Sequence, residues 1–155
     1  MKYKVSKDIS DNLLNIYLEE EEIAVDTELH GLQLYRDEIC LIQLCDSNQN
    51  VCLIKPEVNY VPPNLKHLLT NQNIIKVFHF ALTDVAFFKT SLNIDVTPYH
   101  CTKIMSKLIR TYTQGHGLKD LTQELLGHEV NKEQQQTNWG HNKLSVKQLE
   151  YAAKD

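Results

Sequence analysis

Four short apolar runs of strand length crowd the first half of this chain: Ile23-Ala24-Val25, Ile39 to Leu44, Val51 to Ile54 and Ile74 to Phe78. The first three are bounded on both sides by polar or turn-forming residues, as buried strands are. The tract Asp46-Ser47-Asn48-Gln49-Asn50 between the second and third run is a loop, and Gly31 turns the chain after the first. Helical spacing fills much of the remainder. Asp8 to Leu18 has Leu13, Leu14, Ile16, Tyr17 and Leu18 near one face. Pro62 and Pro63 open a helix through about Leu69, where proline is tolerated in the first turn. Leu82 to Leu92 follows the fourth strand, and Ile94 to Val96 reads as a short fifth strand. Helices are then expected over about Cys101 to Thr111, Leu118 to Leu126 (ending at Gly127) and Val146 to Asp155, with Ser145 as N-cap of the last. Strands first, then strand–helix alternation, then helices imply an α/β protein with a mixed sheet of about five strands and helices packed on it.

The 155 residues suit one compact domain, 1–155. No apolar run is long enough to span a membrane, and the polar, charged start from Met1 to Ile9 is unlike a secretion signal. A cytoplasmic location without membrane association is the expectation. Cys40, Cys45, Cys52 and Cys101 lack the tight pairing and partner histidines of a zinc site and read as reduced thiols. The formal net charge of −4 argues against a protein that coats long nucleic acid. It leaves room for a nuclease, because clustered carboxylates inflate the negative count and bound divalent cations cancel them.

Three short motifs carry chemistry. Asp26 and Glu28 lie two apart at the end of the first strand, so both side chains point to one face. Paired carboxylates are hard oxygen donors suited to Mg²⁺ or Mn²⁺, although an Asp-x-Glu alone is often a solvated turn. Asp84 falls in the first turn of the helix after the fourth strand, within Phe78-His79-Phe80-Ala81-Leu82-Thr83-Asp84. The helix dipole favours an acid there with or without a further role. Tyr151 and Asp155 in Tyr-Ala-Ala-Lys-Asp are four apart and share one helical face, beside small residues that permit close approach.

Taken in order, these motifs resemble those of the DEDD superfamily of 3′-5′ exonucleases, in its tyrosine-bearing type, and within it the ribonuclease D family. The likeness runs from about Ile23 to Asp155. It is strengthened by Ile39-Cys40-Leu41-Ile42-Gln43-Leu44, by Thr111-Tyr112-Thr113 leading into His116-Gly117-Leu118-Lys119-Asp120-Leu121, by Gln134-Gln135-Gln136 and Asn138-Trp139, and by Leu144-Ser145 before Gln148-Leu149. The short length is most similar to the compact nano-RNase C (NrnC) branch.

The resemblance implies a ribonuclease H-like sheet with helices on both faces and additional C-terminal helices. It implies a metal-dependent phosphodiester hydrolase that releases nucleoside 5′-monophosphates from the 3′ end of single-stranded RNA or short oligonucleotides, acting as a homo-oligomer. Asp26, Glu28, Asp84 and Asp155 would hold two divalent cations, Mg²⁺ or Mn²⁺, and Tyr151 would orient the attacking water. Thr27 would meet the terminal ribose, and Leu32 matches an apolar wedge between the last two bases, or is an ordinary loop leucine. His79 lines the pocket or is a core histidine with satisfied hydrogen bonds. Lys132, Gln135 and Trp139 are candidates for phosphate or base contact, or belong to a loop with one packed tryptophan. In the family the last helix continues with apolar residues that pin it to the core. This sequence stops at Asp155 and reads as truncated there. Two other readings stay open: a nucleic-acid-binding module without catalysis, and a DNA-directed exonuclease using the same site.

Overall fold

The computed structural model describes residues 3, 5–57, 59–130 and 137–154. Among them the chain runs β1 (Val5–Ser6), α1 (Asp11–Tyr17), β2 (Glu22–Leu29), β3 (Ile39–Cys45), β4 (Val51–Ile54), α2 (Pro63–Thr70), β5 (Ile75–Phe78), α3 (Ala81–Leu92), β6 (Tyr99–Cys101), α4 (Thr102–Ile109), α5 (Leu118–Leu126) and α6 (Val146–Ala152). The strands form one mixed sheet in the order β1-β4-β3-β2-β5-β6. The pairs β2–β3 and β3–β4 are antiparallel, whereas β2–β5, β5–β6 and β1–β4 are parallel. The order places β2, the strand of the acid pair, inside the sheet with partners on both edges.

Alternation along β2 and its partners separates two cores. Ile23 and Val25 face the same side as Ile42, Leu44 and Ile54, and there they meet Leu14 and Tyr17 of α1, Leu65 and Leu68 of α2, and Phe87 and Phe88 of α3. On the opposite side Leu41 and Leu53 pack with Trp139 and with Leu149 and Ala152 of α6. Helices therefore cover both faces, as the resemblance implied.

Two expectations need correction. The sheet has six described strands rather than about five. The extra one, β1, is a two-residue edge strand too short to leave a pattern. The strand expected over Ile94 to Val96 lies instead at Tyr99–Cys101. Ile94 and Val96 are buried, but the local main chain is committed elsewhere. The Ile94 amide donates back to Phe88 O to close α3, after Asn93 enters the left-handed region (φ 50°), and the Thr97 amide donates to Leu69 O of α2.

Local chemistry sets the helix starts. Ser10 Oγ accepts from the Leu13 amide to cap α1. Pro62 gives α2 no side-chain cap. Asp8 supplies one from a distance, its carboxylate accepting from the Asn64 and Leu65 amides, each at 2.9 Å.

Lys76 is the one charged side chain in β5 and is fully buried. Its Nζ donates to the carbonyls of Asn71, Ile74 and Thr97, each at 2.7 Å. Burial pushes its pKa down to about 8, while the three acceptors favour the ammonium that can serve all of them at once. Lys76 thus ties the turn before β5 to the run that leads into β6. Lys76→Met keeps the apolar stem and orphans the three carbonyls. It should cost on the order of 3 kcal/mol in urea denaturation; a loss below about 1 kcal/mol would show that the ammonium is not needed there.

Candidate active site

The site is built on the exit from β2. Asp26 pairs with Gln43 and Glu28 with Leu41 across the β2–β3 ladder, so both acids project to the α6 side of the sheet. Asp26 is half-buried and Glu28 buried. The register shifts between Glu28 and Leu29, a bulge that re-aims the strand end as it leaves the sheet. Thr27, between them, faces the other core. Its hydroxyl donates to Asp84 Oδ1 at 2.6 Å. The side chain expected to meet a ribose is thus engaged with the third acid.

Asp84 reaches this place through a tight turn. β5 ends at Phe78, and Phe80 adopts φ 71° and ψ 47° immediately before α3. That left-handed conformation is strained for an aromatic residue. Lys103 Nζ of α4 sits 4.3 Å from the Phe80 ring centroid. The turn swings the first helical turn beneath β2 and buries Asp84. Burial pushes its pKa up to about 6, opposed by hydrogen bonds from the Thr27 hydroxyl and from the Thr27 and Asp84 main chain.

Across the same sheet face lies α6. Ser145 and Gln148 form a reciprocal capping box. Gln148 Nε2 also donates to Thr137 Oγ1 and Asn138 O, tying α6 to the Trp139 segment. Tyr151 is half-buried with its ring 6.1 Å from that of Trp139. Trp139 is only 2 % exposed, so the base contact expected of it finds no open ring face in this structure. Its role here is to seat Tyr151.

A cavity of about 280 Å³ opens beside Asp26, lined also by Gln43, His79, Thr102 and the α6 end at Ala152 and Ala153. His79 is half-buried and lines this cavity, and its Nδ1 lies 3.0 Å from Thr102 Oγ1. Thr102 spends its own hydroxyl proton on Phe78 O, so the histidine is the donor of that pair. Leu32 stands 78 % exposed in the loop after β2. That loop is held by Asp37, which accepts from the Gln33 amide and pairs with Arg36. A Cβ on Gly31 would lie 2.3 Å from Asp37 Oδ2, so any side chain there would have to displace the Asp37 carboxylate.

The β2 pair, Asp84 and Tyr151 are therefore brought to one end of the sheet. Among the described residues, no three His, Cys, Asp or Glu side chains are gathered closely enough to form a metal cage. Asp155, Lys132 and Gln135 lie outside the described residues. The donor chemistry nevertheless fits a hard divalent cation: Asp26, Glu28 and Asp84 offer only carboxylate oxygens, and among the described residues no cationic side chain shifts the buried Asp84.

Sequence reasoning missed Gln43 as a site residue. It is buried, and among the described residues neither its Nε2 nor its Oε1 has a hydrogen-bond partner. An orphaned buried carboxamide costs about 1–3 kcal/mol for each unmade bond. The signal was a lone amide inside the apolar run Ile39–Leu44.

A six-stranded mixed sheet with helices on both faces, an acid pair on a central strand and a tyrosine-bearing helix across them together define a ribonuclease H-like nuclease domain. Comparison with known proteins is specific. The family described as 3′-5′ exonuclease matches residues 4–155. Ribonuclease D of Xanthomonas oryzae is 32% identical over 133 residues, covering 86% of this chain and 36% of its own length. The chain thus spans about a third of the curated ribonuclease D relatives it matches. Brucella melitensis NrnC with bound Mg²⁺ is 36% identical, with a TM-score of 0.89 over 100% of this chain and 75% of that one. The same protein bound to pGG is 37% identical, with a TM-score of 0.90 over 99% and 75%. This chain belongs to the 3′-5′ exonuclease family, in its DEDD ribonuclease D group and on the NrnC-like branch.

The Asp84 shift predicts a pH dependence for the metal-free protein. The folded state binds a proton near pH 6 that the unfolded chain releases near 3.8. Between those values the folded state holds more protons, so stability falls as pH rises and the full penalty is present above about 6. Asp84→Asn, which can still accept from Thr27, should remove this slope. At pH 7 in EDTA the variant should be more stable than wild type by on the order of 3 kcal/mol, converging toward pH 4. Parallel pH dependences for the two proteins would contradict the assignment.

Proposed function

We propose that this chain hydrolyses short oligoribonucleotides from their 3′ ends and releases nucleoside 5′-monophosphates. The observation that carries the reading is the pairing of Asp26 and Glu28 on one face of β2 with Tyr151 of α6 over the same face. In this reading Asp26, Glu28, Asp84 and Asp155 hold two divalent cations, Mg²⁺ or Mn²⁺. Those cations supply an acidified water and positive charge for the phosphoryl group and the departing 3′ oxygen. Tyr151 orients the attacking water. His79 and Thr102 line the wall of the cavity that receives the terminal nucleotide, and Leu32 separates the last two bases.

The cavity beside Asp26 lies at the small end of ligand-pocket sizes, which favours one or two nucleotides over a long strand. The chain's negative net charge supports the same choice. The NrnC structure bound to pGG lends further support. A homo-oligomer is part of the proposal. Ile104, Leu108 and Ile109 of α4 and Leu125 and Leu126 of α5 are exposed, and α5 buries none of its residues, an apolar surface suited to a second copy.

A length series of 5′-labelled RNA and DNA, from two nucleotides upward, tests the reading. With Mg²⁺ or Mn²⁺ the shortest RNA should be cut fastest, releasing mononucleotides. Asp26→Ala or EDTA should return the rate to background, and light scattering should report more than one copy per particle. Turnover that survives Asp26→Ala would overturn the mechanism, and binding without turnover would establish a binding module instead. A preference for DNA would overturn the substrate class.

A further inference from the structure

We infer that Arg110 is a positioning residue: it clamps α5 to α4 so that Leu118 forms one wall of the cavity that takes the terminal nucleotide, an assignment that rests on the exonuclease reading above. No side chain of α5 is buried, and none belongs to either core. Packing into the cores therefore does not anchor this helix. Yet Leu118, its first residue, lines the cavity together with Asp26, His79 and Thr102. Polar contacts must fix the helix there.

Arg110 supplies them. It follows the last turn of α4, is only 5 % exposed, and comes four residues after Ser106 and eight after Thr102. Its guanidinium donates to Ser106 Oγ at 2.9 Å and to the Gly115 carbonyl at 2.8 Å. Nε and the second amino group engage both oxygens of Glu124, in the last turn of α5. The Tyr112 hydroxyl donates to the same carboxylate at 2.5 Å. Ser106 Oγ also lies 2.9 Å from His116 Nδ1. The network thus holds the chain on both sides of Leu118, at Gly115 and His116 before it and at Glu124 after it. An ion pair with so exposed a carboxylate contributes little to stability. What the planar fork supplies is placement, because it fixes orientation as well as distance. Thr102, at the start of α4, lines the same cavity beside His79. The clamp therefore sets the spacing of two wall residues, one from each helix.

The test follows hydrolysis of a labelled RNA dinucleotide at saturating Mn²⁺ by wild type, Arg110→Met, Glu124→Ala, Leu118→Ala and the Arg110→Met/Leu118→Ala double variant. Arg110→Met and Leu118→Ala should each raise KM about tenfold. Both should leave kcat unchanged, the mark of lost binding rather than lost chemistry. Glu124→Ala should raise KM in the same direction. The double variant should be no worse than either single one, because both changes remove the same wall. Mn²⁺ affinity by isothermal calorimetry and particle size by light scattering should stay at their wild-type values throughout. A wild-type KM in folded Arg110→Met overturns the assignment. So do KM increases that multiply in the double variant, since Arg110 would then act elsewhere than through Leu118. A change in particle size or Mn²⁺ affinity that accompanies the KM rise also overturns it, by moving the effect to a subunit contact or to the metals. If Arg110→Met does not fold, Glu124→Ala, alone and combined with Leu118→Ala, is judged by the same criteria. Failure of Glu124→Ala to fold as well would make the clamp a determinant of the fold and overturn the assignment. No turnover by wild type would sink the exonuclease reading and this assignment together, whereas every other outcome leaves that reading standing.

Discussion

The register of β2 against β3 is the constraint on which the remaining structure depends. With Asp26 opposite Gln43 and Thr27 opposite Ile42, alternate residues of β2 serve two different cores. Ile23 and Val25 go to the side of α1, α2 and α3, and Asp26 and Glu28 go to the side of α6. A slip of one residue would bury both carboxylates among leucines and phenylalanines and turn the apolar set toward the cavity. Burying unpaired carboxylates costs far more than a strand of this length can recover, so the acids themselves help to define the pairing. The face that carries chemistry and the faces that carry stability are thus fixed by one alternation.

Thr27 connects the two sides. It belongs to the core face, yet its hydroxyl grips Asp84, the acid delivered by α3. The third carboxylate is therefore placed from beneath the strand while the first two approach from above. Its raised pKa records the burial that this route requires. Tyr151 is seated in a comparable way, by the Trp139 ring and by a Gln148 side chain that joins α6 to the segment before it. Asp84 and Tyr151 are thus each seated by a neighbouring side chain, Thr27 and Trp139.

Much of this was legible in the sequence, for reasons that can be named. The central strands are short apolar runs, and β2 ends in Asp26 and Glu28, which reads as a buried strand reaching the edge of the sheet. The order of Asp26, Glu28, Asp84, Tyr151 and Asp155 pointed to the family before any geometry was known. The edge strands were not legible. β1 has two residues, and β6 is Tyr-His-Cys, largely exposed and without alternation. The run Ile94 to Val96 looked like a strand because its apolar residues are buried, but burial is not pairing: the Ile94 amide closes α3, and the Thr97 amide just after the run ties α2. Trp139 showed the same ambiguity in reverse: a lone tryptophan in a polar stretch reads equally as a base platform or as packing, and here it packs. Lys76 and Gln43 escaped notice because single polar residues inside apolar runs look like exceptions, whereas one bridges three carbonyls and the other faces Asp26.

The central claim is that the exit of β2 is a divalent-cation site. Anomalous diffraction from crystals of the protein soaked in Mn²⁺ tests it most directly. The account predicts a manganese peak between the carboxylates of Asp26, Glu28 and Asp84, lost in Asp26→Ala crystals. No peak at that position under saturating Mn²⁺, or one unchanged by that substitution, would contradict it.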